Sequence, residues 1–303
     1  MIALCNPMGT WIVGSAASRL GRPFPLVMPR FPAAALLLAL AFVGACGGPT
    51  SPTIPVVPTL PYLDGPATEQ VDWRWSDASD AYPVLMRSRY PLEALVANAG
   101  DDLERVRLVS RWVHTRFAHD GDHASRYADP IGILEEAAPG ARFRCVEYAA
   151  VTSGALISLG IPSRMVWLLT RDEATRTDGV AHVVAEAWLR DRQAWVMVDA
   201  QWDVVTTHDG APLGALQLQR TLAAGGELPE VASGSGTGRD AYLAWIAPYL
   251  HYFYVRTDNR VGVDRSPNAL LLAPVGDESL AAKYPAPATR ITHSTASLYP
   301  AIP

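Results

Sequence analysis

The chain has 303 residues, a formal net charge of −5, and is 49% hydrophobic and 18% charged. This length is enough for one large domain or two small ones. Because the sequence contains no run of lysines or arginines, the composition argues against a nucleic acid as partner.

The N-terminal segment has the organisation of an export signal. Met28-Pro29-Arg30 supplies a short basic start, and an unbroken apolar run extends from Ala33 to Val43. The run is long enough for the apolar part of a signal peptide and too short to span a bilayer as a helix. We therefore predict that residues 1–45 are a signal peptide. Residues 1–27 would make an unusually long leader, so Met28 is the favoured start of translation.

The apolar run ends in Val43-Gly44-Ala45-Cys46, which resembles the lipobox of bacterial lipoproteins. The resemblance implies cleavage before Cys46 and lipidation of its thiol. Lipid chains would hold the protein at a membrane of the cell envelope, facing the periplasm or the cell surface, without a spanning helix. The alternative is an ordinary secretory signal that is cut near Ala45.

Prolines recur at every third position behind Cys46. Polyproline II has three residues per turn, so these prolines would form one stripe on an extended rod. Residues 46–70 are therefore predicted to comprise the lipidated Cys46 and a Pro-rich tether, and the alternative is a ligand for a proline-binding partner. The prolines are Pro49, Pro52, Pro55, Pro58 and Pro61.

Two main helices are predicted in the folded part, which should begin near Val71. The segment from Asp101 to Glu104 has the spacing of a capping box before an apolar-periodic run, and predicts an amphipathic helix that ends near Ala118. A second helix is predicted to begin at Cys145 and to end at Gly160, because Ile161-Pro162 prevents its continuation.

Two histidines and two aspartates lie close together in His119-Asp120-Gly121-Asp122-His123. These residue types suggest a metal site. Their spacing matches no strong metal motif, however, and Asp-Gly is an ordinary turn former. We therefore predict a loop that lies near Cys145, and no metal or cofactor.

Three strands are predicted after the second helix. They are Arg164–Thr170, Ala181–Arg190 and Ala194–Val198, with a tight turn at Asp191-Arg192-Gln193 between the last two. A helix followed by an antiparallel meander predicts an α+β fold.

The core of the domain is predicted to cover residues 71–205, and the sequence beyond it is less regular. A short helix is predicted from Ala241 to Leu250 and a strand from His251 to Arg256. Residues 206–282 are predicted to extend the same domain. Residues 283–303 are rich in Pro, Thr and Ser, which predicts a loose tail.

Cys145 is the one thiol of the expected mature domain, because Cys5 precedes the favoured start and Cys46 is the expected lipidation site. An internal disulfide is then impossible, so this thiol is either inert and buried or chemically useful. A helix N-terminus carries exposed N–H groups and partial positive charge, which favour the nucleophilic thiolate.

His182 and Asp199 are the candidate partners of this thiol. Imidazole titrates near neutrality and can act as base and acid, and a carboxylate behind it fixes its tautomer. His182 lies near the start of one strand and Asp199 near the end of the next. Antiparallel pairing brings these two ends together.

Four segments together resemble the transglutaminase-like superfamily of cysteine enzymes, over about residues 105–205. Each motif is weak alone, but they occur in the family's order with ordinary spacing. The chain departs from the family's usual pattern at Arg144, where glycine is common, and at Val184, where tryptophan is common. The segments are Cys145-Val146-Glu147-Tyr148-Ala149, Leu159-Gly160-Ile161-Pro162-Ser163-Arg164, His182-Val183-Val184-Ala185-Glu186 and Trp195-Val196-Met197-Val198-Asp199.

The resemblance implies a papain-like α+β fold, with the nucleophile helix packed on an antiparallel sheet. It also implies a catalytic triad of Cys145, His182 and Asp199, with acyl transfer through a thioester and no cofactor. The backbone N–H of Cys145 would stabilise the oxyanion, and Glu186 would pair with Arg164 in a structural role.

Peptides or proteins of the cell envelope are the expected substrates. Resolution of the thioester by water would make the protein a peptidase or amidase, and resolution by an amine would make it a cross-linking transglutaminase. A catalytically silent binding or assembly module is the alternative from another class. An arylamine-acetyltransferase-like enzyme is a further option, although the Arg-Gly-Gly approach to the nucleophile is absent.

Overall fold

A computed structural model describes residues 52–300 and 302. Five helices precede the first strand in the sequence, two lie between later strands, and one follows the last strand of the described residues. The helices are α1 (Ala81–Arg89), α2 (Leu92–Val96), α3 (Asp102–His114), α4 (Pro130–Ala137), α5 (Cys145–Ser158), α6 (Ala215–Ala224), α7 (Arg239–Ile246) and α8 (Thr295–Leu298), with a 3₁₀ turn at Ala247–Tyr249.

The described strands form one sheet in the order β5-β4-β3-β2-β1-β7-β8-β9, with β6 paired to β4. All pairs are antiparallel except β8 with β9, which run parallel. Helices combined with a mainly antiparallel sheet confirm the α+β prediction. The strands are β1 (Ser163–Leu169), β2 (Ala181–Leu189), β3 (Ala194–Asp199), β4 (Val204–His208), β5 (Ala211–Pro212), β6 (Glu230–Ser233), β7 (Tyr252–Arg256), β8 (Ala269–Leu272) and β9 (Thr289–Thr292).

The sheet is packed on both faces, because side chains alternate along each strand. On β2, Val183 and Ala185 lie in the core formed with α3, α4 and α5. Val184 lies between them and packs on the opposite face, in the core formed with α6, α7 and α8. The nucleophile helix and the C-terminal helices therefore cover opposite faces of the same strands.

Helix α3 begins as the capping-box spacing predicts. The side chain of Asp101 accepts a hydrogen bond from the backbone N–H of Glu104 at 2.7 Å, and the Glu104 carboxylate accepts one from Gly100 N at 2.7 Å. The helix ends at His114 rather than near Ala118, because the cap residue Thr115 bonds back to earlier carbonyls.

Helix α5 begins at the predicted residue, Cys145, and is buried along most of its length. It ends at Ser158. Gly160 follows with a φ of 78°, a left-handed conformation that favours glycine. Gly154 faces Pro130 of α4, and any larger side chain there would overlap the proline ring.

The predicted tether is wrong for its described part. Val57 is buried, the Gln219 side chain donates to the carbonyl of Pro58 at 2.7 Å, and Val275 N donates to the carbonyl of Pro61 at 2.7 Å. Ile54 and Tyr62 pack against the C-terminal core, so this segment is docked although Val56 is exposed. The predicted signal peptide and Cys46 lie outside the described residues.

The predicted loose tail at 283–303 is also wrong over residues 289–298. These residues form β9, which pairs with β8, and α8, whose Leu298 is fully buried. Apolar residues within the Pro-, Thr- and Ser-rich stretch fill the core and fix the segment.

None of the helices in the described part of the chain has the length and apolar character that a membrane span requires.

Candidate active site

The hairpin of β2 and β3 brings two of the predicted site residues together. Val198 pairs with Ala185, so the end of β3 lies beside the beginning of β2. His182 Nε2 lies 2.7 Å from Oδ2 of Asp199, and both side chains are buried. The prediction that antiparallel pairing joins these residues is confirmed in its geometry.

Cys145 meets the same imidazole from the N-terminus of α5. Cys145 lies close enough to His182 to contribute to the raised pKa of the imidazole, and the residue is partly exposed. Because Asp199 occupies Nε2, Nδ1 is the ring nitrogen that remains to exchange a proton with the thiol. The three predicted residues therefore lie in the order thiol, imidazole and carboxylate, from the partly exposed Cys145 to the buried Asp199.

The charges around His182 favour a protonated imidazole. Burial by itself opposes the imidazolium, but the charge of Asp199 and hydrogen bonds with Asp199 and Cys145 outweigh burial and raise the pKa of His182 to about 10. An imidazolium beside a thiol stabilises the thiolate. The arrangement thus suits a thiolate–imidazolium ion pair at neutral pH.

The C-terminal extension adds a residue to this site that the sequence interpretation missed. The hydroxyl of Tyr242, on α7, donates to Oδ2 of Asp199 at 3.0 Å. Burial and the charge of Asp199 raise the pKa of Tyr242 well above its usual range, so the hydroxyl stays a neutral donor. Asp199 Oδ2 is therefore held from two sides, by an imidazole and by a phenol.

Two further aromatic rings of the same segment cover the imidazole. The Trp245 ring contacts His182 edge-on with centroids 4.6 Å apart, and the Tyr249 ring lies 6.0 Å away. Tyr242, Trp245 and Tyr249 recur at helical spacing on α7 and the 3₁₀ turn that follows. This aromatic periodicity is the signal from which the covering segment could have been predicted.

The His119–His123 loop lies beside the site, as predicted. Asp120 N donates to the carbonyl of Phe143 at 2.8 Å, two residues before Cys145. Burial, followed by the positive charge of His182, lowers the pKa of His119. Across residues 52–300 and 302, no group of three or more His, Cys, Asp or Glu side chains is arranged to hold a metal ion.

A salt bridge fixes the first turn of the nucleophile helix. The guanidinium of Arg144 donates to Glu147 at 2.8 Å, and the backbone N–H of Arg144 donates to the same carboxylate at 3.1 Å. Ser125 N also donates to Glu147, at 3.3 Å. Arg144 and Glu147 together fix the turn that carries Cys145.

A buried ion pair lies further along β2. Arg164 donates to Glu186 at 2.7 Å, and both side chains are fully buried, which confirms the predicted pairing. The Arg164 guanidinium lies between the rings of Trp195 and Tyr299, at 4.4 and 4.6 Å. Tyr299 also donates to Glu186 at 2.8 Å. Glu186 thus anchors the C-terminal segment rather than taking part in chemistry.

The family comparison agrees with this geometry. Residues 92–200 match the family model of the transglutaminase-like superfamily. These residues form a transglutaminase-like superfamily domain. The match runs from α2 to just past β3 and supports a cysteine-dependent function of the peptidase or transglutaminase kind. It leaves out α7, which carries Tyr242.

Similar solved structures include a candidate cysteine protease from Cytophaga hutchinsonii, at 14% identity and a TM-score of 0.32, covering 40% of this chain and 39% of that one. A TGase is 18% identical with a TM-score of 0.30, covering 40% of this chain and 31% of that one. Calcium-bound LapG of Legionella pneumophila is 11% identical with a TM-score of 0.31, and the match covers 43% of this chain and 76% of that one. The similarity spans less than two fifths of the first two proteins. A comparison with curated proteins found no match.

The two departures from the usual family pattern have structural explanations. Arg144, where glycine is common, supplies the salt bridge to Glu147. Val184, where tryptophan is common, is buried in the core beneath α6 and α7.

Proposed function

We propose that the protein hydrolyses amide or peptide bonds through a thioester on Cys145, with His182 as acid and base and Asp199 as the orienting carboxylate. One observation carries the proposal. The buried imidazole of His182 is bound at 2.7 Å by Asp199, and Cys145 lies close enough to it to contribute to its raised pKa. This is the order of groups that nucleophilic catalysis by a thiol needs.

The first half-reaction forms the thioester. The Cys145 thiolate attacks the carbonyl carbon, and a C–S bond forms while the carbonyl π electrons move onto oxygen. The backbone N–H of Cys145, at the helix tip, is the donor that we assign to this oxyanion. When the intermediate collapses, the C–N bond breaks and the leaving amine takes a proton from His182.

The second half-reaction restores the enzyme. His182, now neutral, accepts a proton from water as the water oxygen attacks the thioester. The C–S bond then breaks, which releases a carboxylic acid and returns the sulfur as thiolate beside the imidazolium. We favour hydrolysis over transfer to an amine because water is abundant around an exposed domain.

We further propose that the enzyme acts at the cell envelope, anchored by lipid on Cys46, on peptides or proteins found there. The lipobox-like sequence Val43-Gly44-Ala45-Cys46 supports this location. Expression of the full chain and of Cys46→Ala tests it. The wild type should fractionate with membranes, and the variant should be released. Equal membrane association of both would refute the anchor.

Turnover of the full chain tests the chemistry. Fluorescent casein and a mixture of envelope peptides are incubated with enzyme, with and without a lysine-type amine, and products are read by mass spectrometry. Cys145→Ala and His182→Ala should abolish turnover, whereas His208→Asn, a half-buried histidine on β4, should not. Full turnover by Cys145→Ala would refute the mechanism. Products that carry the added amine would show that an amine, rather than water, resolves the thioester.

A further inference from the structure

A groove runs along the nucleophile helix α5, although Cys145 and His182 are not among the residues that line it. Two adjoining cavities, of about 240 Å³ and about 690 Å³, form it. The smaller cavity is lined by Arg144 and Val146, the two neighbours of Cys145 in the chain. Both cavities are lined by Ala128, Ala150, Met165, Trp167, Arg256 and Arg265.

The smaller cavity is positively charged although the whole chain is acidic. Glu147 is its one acidic wall residue, and Arg144 already pairs with it at 2.8 Å. Arg126, another wall residue, pairs with Glu136 at 3.0 Å. The charges of the two remaining arginines, at positions 256 and 265, are thus left to face the groove.

Arg256 has an unused donor within this wall. Its Nε is buried and has no hydrogen-bond partner, and its guanidinium lies 5.9 Å from the centre of the Trp167 ring. A buried donor without an acceptor is costly. The Arg256 side chain lines both cavities, so its guanidinium is placed to meet an acceptor group of a ligand there.

Arg265 adds a second charge at the same place. Burial and the nearby charge of Arg256 lower the pKa of Arg265. Asp258 opposes this effect, but its carboxylate already accepts hydrogen bonds from Arg260 at 2.8 and 2.9 Å and from Ser266 N at 3.0 Å. Asp258 therefore does not neutralise the pair.

The acids of the larger cavity lie on its other walls. Asp129 accepts hydrogen bonds from Tyr82 and from Gly132 N, and Asp264 lines the larger cavity but not the smaller one. The positive charge is consequently least balanced in the smaller cavity, which borders the first turn of the nucleophile helix.

We propose that Arg256 and Arg265 form a subsite for a carboxylate of the peptide substrate, with Trp167 contacting the carbon atoms that carry it. The guanidinium fork matches a carboxylate in shape and charge. The proposal deepens the proposed function, on which it rests, by naming acidic peptides as the substrate class. The carboxylate can belong to an aspartate or glutamate side chain or to a free peptide C-terminus.

Binding to the full chain carrying Cys145→Ala tests the subsite without any turnover. Three dansyl-labelled pentapeptides are compared: Ala-Ala-Glu-Ala-Ala amide, its glutamine counterpart as amide, and the same glutamine peptide with a free C-terminus. At least one carboxylate peptide should bind roughly 10- to 100-fold more tightly than the neutral peptide. Which one does so identifies the source of the carboxylate.

Arginine variants in the same background assign the effect. Arg256→Gln and Arg265→Gln should each reduce the preference for carboxylate, and the double variant should abolish it. Arg107→Gln, an exposed arginine on α3, is the matched control and should leave the preference intact. The proposal is overturned if the neutral peptide binds equally well, if none of the three binds, or if the double variant keeps the preference.

The outcome is separable from that of the proposed function. In one outcome the wild type turns over no peptide, while carboxylate binding still depends on Arg256 and Arg265. That result would refute the proposed catalysis and support the proposed subsite. Wild-type turnover with equal kcat/KM for acidic and neutral peptides would keep the catalysis and refute the subsite.

Discussion

The hydroxyl of Tyr242 offers a sharp test of the site, because a single atom can be removed without changing the ring. In Tyr242→Phe, Oδ2 of Asp199 loses the donor at 3.0 Å and keeps the imidazole at 2.7 Å. A buried hydrogen bond to a charged group contributes about 1.5–3 kcal/mol. We expect the free energy of unfolding to fall by about 2 kcal/mol in urea titrations.

The same change should also slow catalysis. With one donor lost, the Asp199 carboxylate is less firmly placed, and the imidazole that it orients is less well aligned with Cys145. We expect kcat to fall by roughly tenfold, which corresponds to about 1.4 kcal/mol of transition-state stabilisation, while KM changes little. The assay is single-substrate kinetics with the peptide that the wild type turns over.

Tyr252→Phe is the matched control. The Tyr252 hydroxyl donates to Asp277 at 2.6 Å, and this ring lies in a separate cluster, away from the imidazole. Its loss should lower stability to a similar or smaller extent and leave kcat unchanged. If both variants keep the wild-type kcat, or if both lose it equally, the positioning role assigned to Tyr242 is wrong.

Three other predictions concern neighbouring groups. The pKa of His182 rises from 6.5 to about 10 on folding. The stability contributed by its pair with Asp199 should therefore be complete below about pH 6.5 and lost as the pH rises toward 10. Urea midpoints should fall over this pH range, and His182→Gln should flatten their pH dependence. Glu186→Gln leaves Arg164 buried without its counter-charge and should lower the free energy of unfolding by about 3–5 kcal/mol in the same titration. Adding Arg164→Met should restore part of this loss. A loss below about 1 kcal/mol would contradict this reasoning. Cys145 should react with iodoacetamide near pH 6 faster than a free cysteine does, and Asp199→Asn should slow the reaction; equal rates by mass spectrometry would argue against the ion pair.

The parts of the site that were predictable from sequence are those encoded by local patterns. A helix that starts at Cys145 follows from the break at Pro139-Gly140 and from the apolar residues that recur after Cys145. The approach of His182 to Asp199 follows from a short hairpin. Tyr242 donates to a residue 43 positions away. No local period encodes that contact, so it could be found only in three dimensions.

The same reasoning explains the errors at the two ends of the described chain. Proline-rich and Ser/Thr-rich stretches look like solvated segments when taken alone. Val57 and Leu298 are nevertheless buried, because distant parts of the fold offer apolar surface to them. Parallel pairing of β9 with β8 likewise needs a partner that a hairpin pattern does not supply.

The buried guanidinium on β1 also sets an order of assembly. Arg164 donates to the carbonyl of Leu298 at 2.6 Å, across 134 positions of sequence. A nascent polypeptide that has emerged only as far as the β2–β3 hairpin already contains the thiol, the imidazole and the carboxylate, yet it lacks the segment that closes over this charge. The fold around the candidate site should therefore be completed only after Leu298 has been added to the growing polypeptide.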